Sequence, residues 1–263
     1  MELRGKRVLI TGASRGIGEA LARAFSGAGA NVALVARSEG PLRKLAAELG
    51  GTAHPTDLMD RVQVATLIHR VEDEAGPIDV LVNNAGVGYA GSFMDNTAEQ
   101  VEDTIRLNLT TPLELCRQAV PRMVKRGGGH LVNVSSLASV ASVAGMTAYA
   151  ATKAGLAHGG SALRLELKGL PVGVTTVLVG GVPTDLLADG ETYEPFRRGF
   201  VRLRRTQLVP DTPAERLAEA VARGVERGKR TVYLPKRAAP FVGFVEAPRR
   251  IVELVLKGVP TRA

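Results

Sequence analysis

The sequence predicts a single α/β domain, a doubly wound parallel sheet with helices on both faces. Three observations predict it. Short β-branched runs alternate with segments of helical periodicity along residues 5–235. The runs are apolar throughout rather than alternating, as strands covered on both faces require. No linker, repeat or low-complexity tract divides them, and 263 residues is a one-domain length for this class.

The elements follow in order. Arg7–Thr11 (RVLIT) predicts the first strand. Gly16–Ala28 predicts the first helix, with Ile17, Leu21, Ala24, Phe25 and Ala28 at helical spacing. Asn31–Ala36 is the second predicted strand, and Pro41–Leu49 a helix with Pro41 in its first turn. Gly51–His54 predicts a short third strand, Asp60–Glu74 a helix and Asp79–Asn83 the fourth strand. Ala98–Lys125 reads as helical, but Pro112 supplies no N–H and predicts a kink or break near Thr111. His130–Ser135, Val172–Val179 and Thr231–Leu234 complete seven parallel strands, with a long helix over Ala148–Lys168. Residues 185–210 interrupt the rhythm after a strand's carboxyl end, where such sheets bind ligands, and are expected to form a lid over the substrate. Residues 236–263 are expected to form a C-terminal helical extension beyond a dinucleotide-binding and catalytic domain of residues 1–235.

Composition excludes several classes. Apolar residues are 45% and charged residues 23%, which is globular rather than disordered. The single cysteine, Cys116, rules out an internal disulfide and a Cys-rich metal site. His54, His69, His130 and His158 are scattered, so no metal site is expected. Met1–Lys6 runs into an apolar segment too short for a secretory signal, and no 18-residue apolar run occurs. A cytoplasmic location follows as the expectation. Net charge is +8, unevenly placed: residues 1–180 hold 18 basic and 16 acidic side chains, residues 181–263 hold 16 and 10. No aromatic stacking platform or binding motif accompanies this charge, so no nucleic-acid partner is expected.

The first predicted strand ends in Gly12-Ala13-Ser14-Arg15-Gly16-Ile17-Gly18. Glycines here allow a tight turn, and the helix start that follows offers free N–H groups to a pyrophosphate, the pattern of a Rossmann-type fold. The second predicted strand ends at Arg37-Ser38, where an NAD enzyme usually carries an acid for the ribose hydroxyls. Arg37 suits a 2′-phosphate, with Arg15 as its partner, so the cofactor is inferred to be NADP(H) ahead of NAD(H).

Tyr149 and Lys153 lie four apart in a helical segment and share one face. A free tyrosine titrates near pH ~10, and a neighbouring ammonium would lower that value toward a useful acid–base range. Ser136, 13 residues before Tyr149, falls at the carboxyl end of the fifth strand, where it could hydrogen-bond a substrate carbonyl. Asn108 sits midway along the helix after the fourth strand.

In these residues the chain resembles the classical short-chain dehydrogenase/reductase (SDR) family, over about residues 5–235. The resemblance rests on TGASRGIG at 11–18, Asp57-Leu58, Asn83-Asn84-Ala85-Gly86, Asn108, Ser136 and Tyr149-Ala150-Ala151-Thr152-Lys153, in order and at family-like spacing. It implies that Tyr149 is the general acid or base, that Lys153 holds the nicotinamide ribose and tunes Tyr149, and that Ser136 orients and polarises the carbonyl. Asn108 would hold a water linking Lys153 to a proton relay. Asp57, with the Leu58 backbone, would meet the adenine, while Asn84, Ala85 and Gly86 would line the adenosine ribose side and brace the sheet. The Val182 backbone and the Thr184 side chain would meet the nicotinamide carboxamide. One position departs from the family: Val179 stands where a proline usually precedes Gly180, which is expected to leave the following loop less rigid. The family usually pairs through two long helices, here those carrying Leu113–Met123 and Ala148–Leu167, so a homodimer or homotetramer is implied.

The lid mixes Leu186, Leu187, Tyr193, Phe196, Phe200, Val201 and Leu203 with Arg197, Arg198, Arg202, Arg204 and Arg205. Two readings stand: the arginines take an anionic or carrier-linked acyl substrate, or they form the wet face of an amphipathic helix. The extension likewise pairs apolar residues (Phe241, Val242, Phe244, Val245, Ile251, Val252, Leu254, Val255, Leu256) with Lys236, Arg237, Arg249, Arg250 and Lys257. It could lie in an anionic membrane interface, or pack on the domain or a neighbouring subunit. The function these features imply is hydride transfer between NADP(H) and a carbonyl or secondary alcohol, on a hydrophobic, acyl or lipid-like substrate. A non-catalytic NADP(H)-binding sensor or scaffold on the same fold is the alternative, although a sensor would need only the cofactor end.

Overall fold

The structure, a computed structural model, describes residues 1–207 and 210–255; the side chains of Glu246, Arg249, Arg250 and residues 252–255 lie outside the described residues, as do residues 256–263. The predicted extension residues Val252, Leu254, Val255, Leu256 and Lys257 therefore carry no structural account.

Seven strands form one parallel sheet: β1 (Arg7–Thr11), β2 (Asn31–Ala36), β3 (Thr52–Pro55), β4 (Val80–Asn83), β5 (Gly129–Ser136), β6 (Val172–Val179) and β7 (Thr231–Leu234). Their order is β3-β2-β1-β4-β5-β6-β7. The winding reverses between β1 and β4, and that switch point opens a crevice at the carboxyl ends of both strands. Alternate side chains of each strand enter two cores. Val8 and Ile10 of β1 join Val32 and Leu34 of β2 beneath α1 (Gly16–Gly27), α2 (Glu39–Leu49) and a helix over Ala214–Glu226. Leu9, Ala33 and Leu81 turn to the other face, under α3 (Arg61–Ala75) and the helix Thr111–Lys125.

Pro41 falls inside the first turn of α2, which starts at Glu39; the first N–H groups of a helix have no intrahelical partner, so the ring costs nothing there. Asp60 caps α3, its carboxylate accepting from the Val62 and Gln63 N–H groups. The break foreseen at Pro112 is a π-helical turn, Arg106–Thr110, which joins α4 (Ala98–Ile105) to α5 (Thr111–Lys125). A long α6 (Thr147–Glu166) packs behind β5 and β6.

The lid is two short helices, α7 (Asp185–Glu191) and α8 (Glu194–Arg205). The next helix, α9 (Ala214–Glu226), is missing from the sequence reading. Its buried Leu217, Ala218, Val221, Ala222 and Val225 fall at helical spacing, interleaved with the charged Glu215, Arg216, Glu219, Arg223 and Glu226. The extension forms α10 (Ala239–Val255) after a 3₁₀ turn. Ala238 and Val242 pack with Leu137, Ala157 and Leu178, so one face of the extension lies on the domain, while Phe241, Phe244 and Ile251 are exposed. No described helix is long and apolar enough to cross a membrane.

Candidate active site

The crevice at the switch point is held by a small hydrogen-bond set. The Thr11 hydroxyl donates to the Val82 carbonyl at 3.2 Å and accepts from the Asn84 and Ala85 N–H groups at 2.9 and 3.1 Å. The Asn84 amide donates to the Thr11 and Gly12 carbonyls. Asn84 thus braces the ends of β1 and β4. These contacts bring backbones so close that a Cβ at Gly12 would sit 2.8 Å from Ala85 Cα, and one at Gly18 would sit 2.0 Å from the Gly12 carbonyl oxygen. Only glycine fits. Arg15, at the N-cap of α1, places no side-chain acceptor on the first-turn N–H groups. A glycine cradle ending in uncapped N–H groups fits a pyrophosphate.

The other cofactor-side positions are more mixed. Arg37 is exposed at the end of β2 and makes no ion pair among the described residues, with Ser38 beside it at the start of α2. Arg15 is not free beside it: its guanidinium pairs with Asp185, the first residue of α7. The Arg15–Arg37 pairing expected from sequence is therefore divided, one arginine tied to the lid and the other open. Asp57 Oδ1 accepts from the Met59 N–H at 2.9 Å, and the Leu58 carbonyl accepts from the Thr111 hydroxyl at 3.0 Å. Thr184 lies against the cradle: its methyl would stand 3.4 Å from a Cβ on Gly16. Val182 is buried, and its carbonyl accepts from the Thr184 hydroxyl. β6 runs through Val179, which is in register with Ser136 on one side and Leu234 on the other. The loop that follows therefore starts from a strand end that is paired on both sides.

Four predicted catalytic residues converge. Lys153 and Asn108 are buried. Lys153 Nζ donates to the Val134 carbonyl at 2.9 Å and stands 5.6 Å from the Tyr149 ring centroid. Gly86 closes over both, since a Cβ there would lie 3.1 Å from Asn108 Oδ1 and 3.4 Å from Lys153 Nζ. Asn108 uses its whole side chain: Oδ1 accepts from the Val87 N–H, and Nδ2 donates to the Val87 carbonyl and the Thr152 hydroxyl. Ser136 Oγ donates to the Val179 carbonyl at 3.3 Å and accepts from the Ala138 N–H at 3.1 Å.

Burial governs the electrostatics. It raises the Tyr149 phenol above its ordinary value, and the neighbouring Ser136 hydroxyl pulls the other way. Burial also brings the Lys153 ammonium down to about 8. Burial and Ser136 are what shift Tyr149 here, while the Lys153 ammonium donates to the Val134 carbonyl. Cys116 is buried, its thiol pushed up to about 12, and it is a packed side chain rather than a nucleophile. Among the described residues no group of three or more His, Cys, Asp or Glu side chains is arranged to hold a metal ion.

Ser136 and Tyr149 open onto a cleft that is continuous with solvent. Its walls include Val143, Met146, Leu186, Leu187, Phe196 and Phe200, and among the described residues no charged side chain lines it. Sequence reasoning missed Val143 and Met146, which sit in the small-residue loop between Ser136 and Tyr149 and carry no motif. It also missed Thr152 as the partner of Asn108, and Ser135, whose hydroxyl donates to the Lys153 carbonyl at 2.7 Å and so fixes α6 to β5.

Comparison with known proteins finds both a family and similar folds. The family model described as short chain dehydrogenase matches residues 6–194. A ketoacyl reductase, HetN of Nostoc sp., is 40% identical over 204 residues, 75% of this chain and 71% of that protein. The oxidoreductase UcpA of Salmonella typhimurium is 37% identical over 224 residues, 83% of this chain and 80% of that protein. The match to the oxidoreductase EphD of Mycobacterium tuberculosis is 39% over 194 residues, but this chain spans only 33% of that longer protein. Among solved structures, a short-chain dehydrogenase from Sphingobium yanoikuyae in complex with NADPH superposes with a TM-score of 0.80 at 29% identity, covering 98% of each chain. One from Streptomyces avermitilis gives 0.79 at 30%, covering 99% of this chain and 100% of that one.

Proposed function

The chain belongs to the short-chain dehydrogenase family, and from that premise we propose that it is an NADP(H)-dependent carbonyl reductase acting on an uncharged, hydrophobic ketone or the matching secondary alcohol. The observation that carries this reading is the meeting of a half-buried Tyr149–Ser136 pair, an uncapped glycine cradle and an apolar cleft in one crevice. The nicotinamide cofactor supplies the hydride when bound. The exposed, unpaired Arg37 takes its 2′-phosphate, and the first-turn N–H groups of α1 take its pyrophosphate. Asp57 and Leu58 would hold the adenine, Asn84, Ala85 and Gly86 the adenosine ribose, and Val182 and Thr184 the carboxamide.

Tyr149 delivers the proton. Its raised pKa keeps the phenol protonated at neutral pH, the state an acid needs when a carbonyl oxygen gains negative charge. Ser136 donates a second hydrogen bond to that oxygen, exchanging its present acceptor, the Val179 carbonyl. Lys153 holds the nicotinamide ribose and, near its pKa of about 8, returns a proton to Tyr149. Pro112 has no N–H, so the Asn108 carbonyl lacks an α-helical partner; that oxygen is the site for the relay water. The relative named a ketoacyl reductase supports the direction, and the neighbour in complex with NADPH supports the cofactor.

The test is NADPH consumption over a panel of aliphatic and aryl ketones, with NADH in parallel. Turnover of apolar ketones, faster with NADPH, is expected. Tight NADPH binding with no turnover across the panel would instead identify the chain as a sensor.

A further inference from the structure

Of the five lid arginines, Arg204 alone is turned to structural use on several sides. Its guanidinium Nη1 lies 2.8 Å from Glu191 Oε1, while Nη2 and Nε lie 2.9 and 3.0 Å from Asp211 Oδ1. Glu191 ends α7, Arg204 is near the end of α8, and Asp211 begins the stretch that leads into α9. One planar fork therefore ties three chain segments together. The same guanidinium covers the Phe200 ring at 4.8 Å from its centroid.

Phe200 is held from its other sides as well. It stacks on Phe196 with centroids 5.4 Å apart and planes 9° from parallel. Its edge approaches Gly181 so closely that a Cβ there would sit 2.8 Å from the ring and 3.0 Å from Asp211 Oδ1. Phe196 in turn fills the space over Gly190. Both rings line the cleft above Ser136 and Tyr149. The lid arginines do not: none lines the cleft, Arg198 is spent on Glu194 and Arg204 on two carboxylates. The reading in which the lid arginines meet an anionic substrate inside the site loses its ground.

We propose that Arg204 is a positioning residue that sets the substrate specificity of this site, by fixing the Phe200–Phe196 wall against which the apolar part of a neutral ketone lies. This rests on the carbonyl-reductase reading above. The charge of Arg204 is neutralised within the lid, so its contribution is to shape and not to attraction. A lysine cannot replace it, because a single ammonium cannot serve Glu191, Asp211 and the ring together.

Two measurements on the full chain test this, using Arg204→Met and Arg204→Lys. In the first, kcat and KM are compared for a small methyl ketone and for a bulky aryl or long-chain ketone. Both variants are expected to raise KM for the bulky ketone about tenfold while leaving its kcat and both constants of the small ketone within about twofold. An equal loss on the two substrates, or a loss confined to kcat, overturns the proposal. In the second, trypsin cleavage of α8, which offers the exposed Arg198 and Arg202, is followed without cofactor or substrate. Cleavage in Arg204→Met should be about tenfold faster at unchanged Tm. Unchanged cleavage overturns the proposal whatever the activity. Faster cleavage in a protein that reduces no ketone supports the role of Arg204 in the lid and sinks the carbonyl-reductase reading instead.

Discussion

At the scale of single residues, the site is a balance between neighbouring charge and lost water. Tyr149 and Lys153 both move toward their neutral forms because burial penalises the phenolate and the ammonium alike. Their spacing is legible in sequence, since two side chains four apart on a helix must share a face. Their electrostatics is not, because it depends on burial by segments far away in the chain. Arg15 and Arg37 show the same limit. Each is legible as a cation near a phosphate site, yet only the fold shows that Asp185 already holds Arg15. Cofactor choice should accordingly rest on Arg37. Replacing Arg37 with Ala is expected to weaken NADPH binding about tenfold or more and to leave NADH binding almost unchanged, as loss of a charge-assisted phosphate contact predicts. Arg15→Ala should cost less, because the wild-type side chain must first leave Asp185. Fluorescence titration of both cofactors measures this; equal losses for NADPH and NADH in Arg37→Ala would remove the 2′-phosphate assignment.

Among elements, legibility follows burial. The inner strands β1 and β4 are almost wholly apolar and buried, and each of the seven strands falls within about two residues of its predicted bounds. Pro112 announces the break in the helix after β4, since covalent structure alone removes one N–H. That the chain resolves the break as a π turn upstream, with Asn108 clamping Val87, depends on the loop after β4 packing against it. Helix α9 is hidden for the opposite reason: it touches the core through one narrow stripe, and its outer face is charged. The lid is legible as a departure from rhythm but not as two helices latched by Arg204, because Glu191 and Asp211 lie thirteen and seven residues away from it. Val179, at the position where the family usually has a proline, is a strand end flanked by β5 and β7.

For the whole molecule, buried histidines couple the fold to pH. His130 lies inside the sheet on β5, its Nε2 2.8 Å from the Thr175 hydroxyl, and burial drops its pKa to about 4. His54 moves the same way, burial outweighing the pull of Glu74. A depressed histidine pKa means that the unfolded chain takes up protons which the folded chain refuses. The stabilisation is complete above the ordinary value near ~6.5 and drains away as pH falls toward 4, by roughly 3 kcal/mol for His130. Thermal denaturation should therefore show Tm falling between pH 6.5 and 4, with a shallower fall in His130→Asn; an identical slope in the variant would show that His130 is not the coupled group. The same scale holds the functional account, because cradle, cleft and lid come from distant parts of the chain and meet at one phenol. The most direct measurement is NADPH consumption with an apolar ketone by Tyr149→Phe, alongside NADPH binding by the same variant. Loss of roughly a thousandfold or more in kcat with unchanged cofactor affinity is expected for removal of the general acid. Undiminished turnover would contradict the assignment of Tyr149 and, with it, the mechanism.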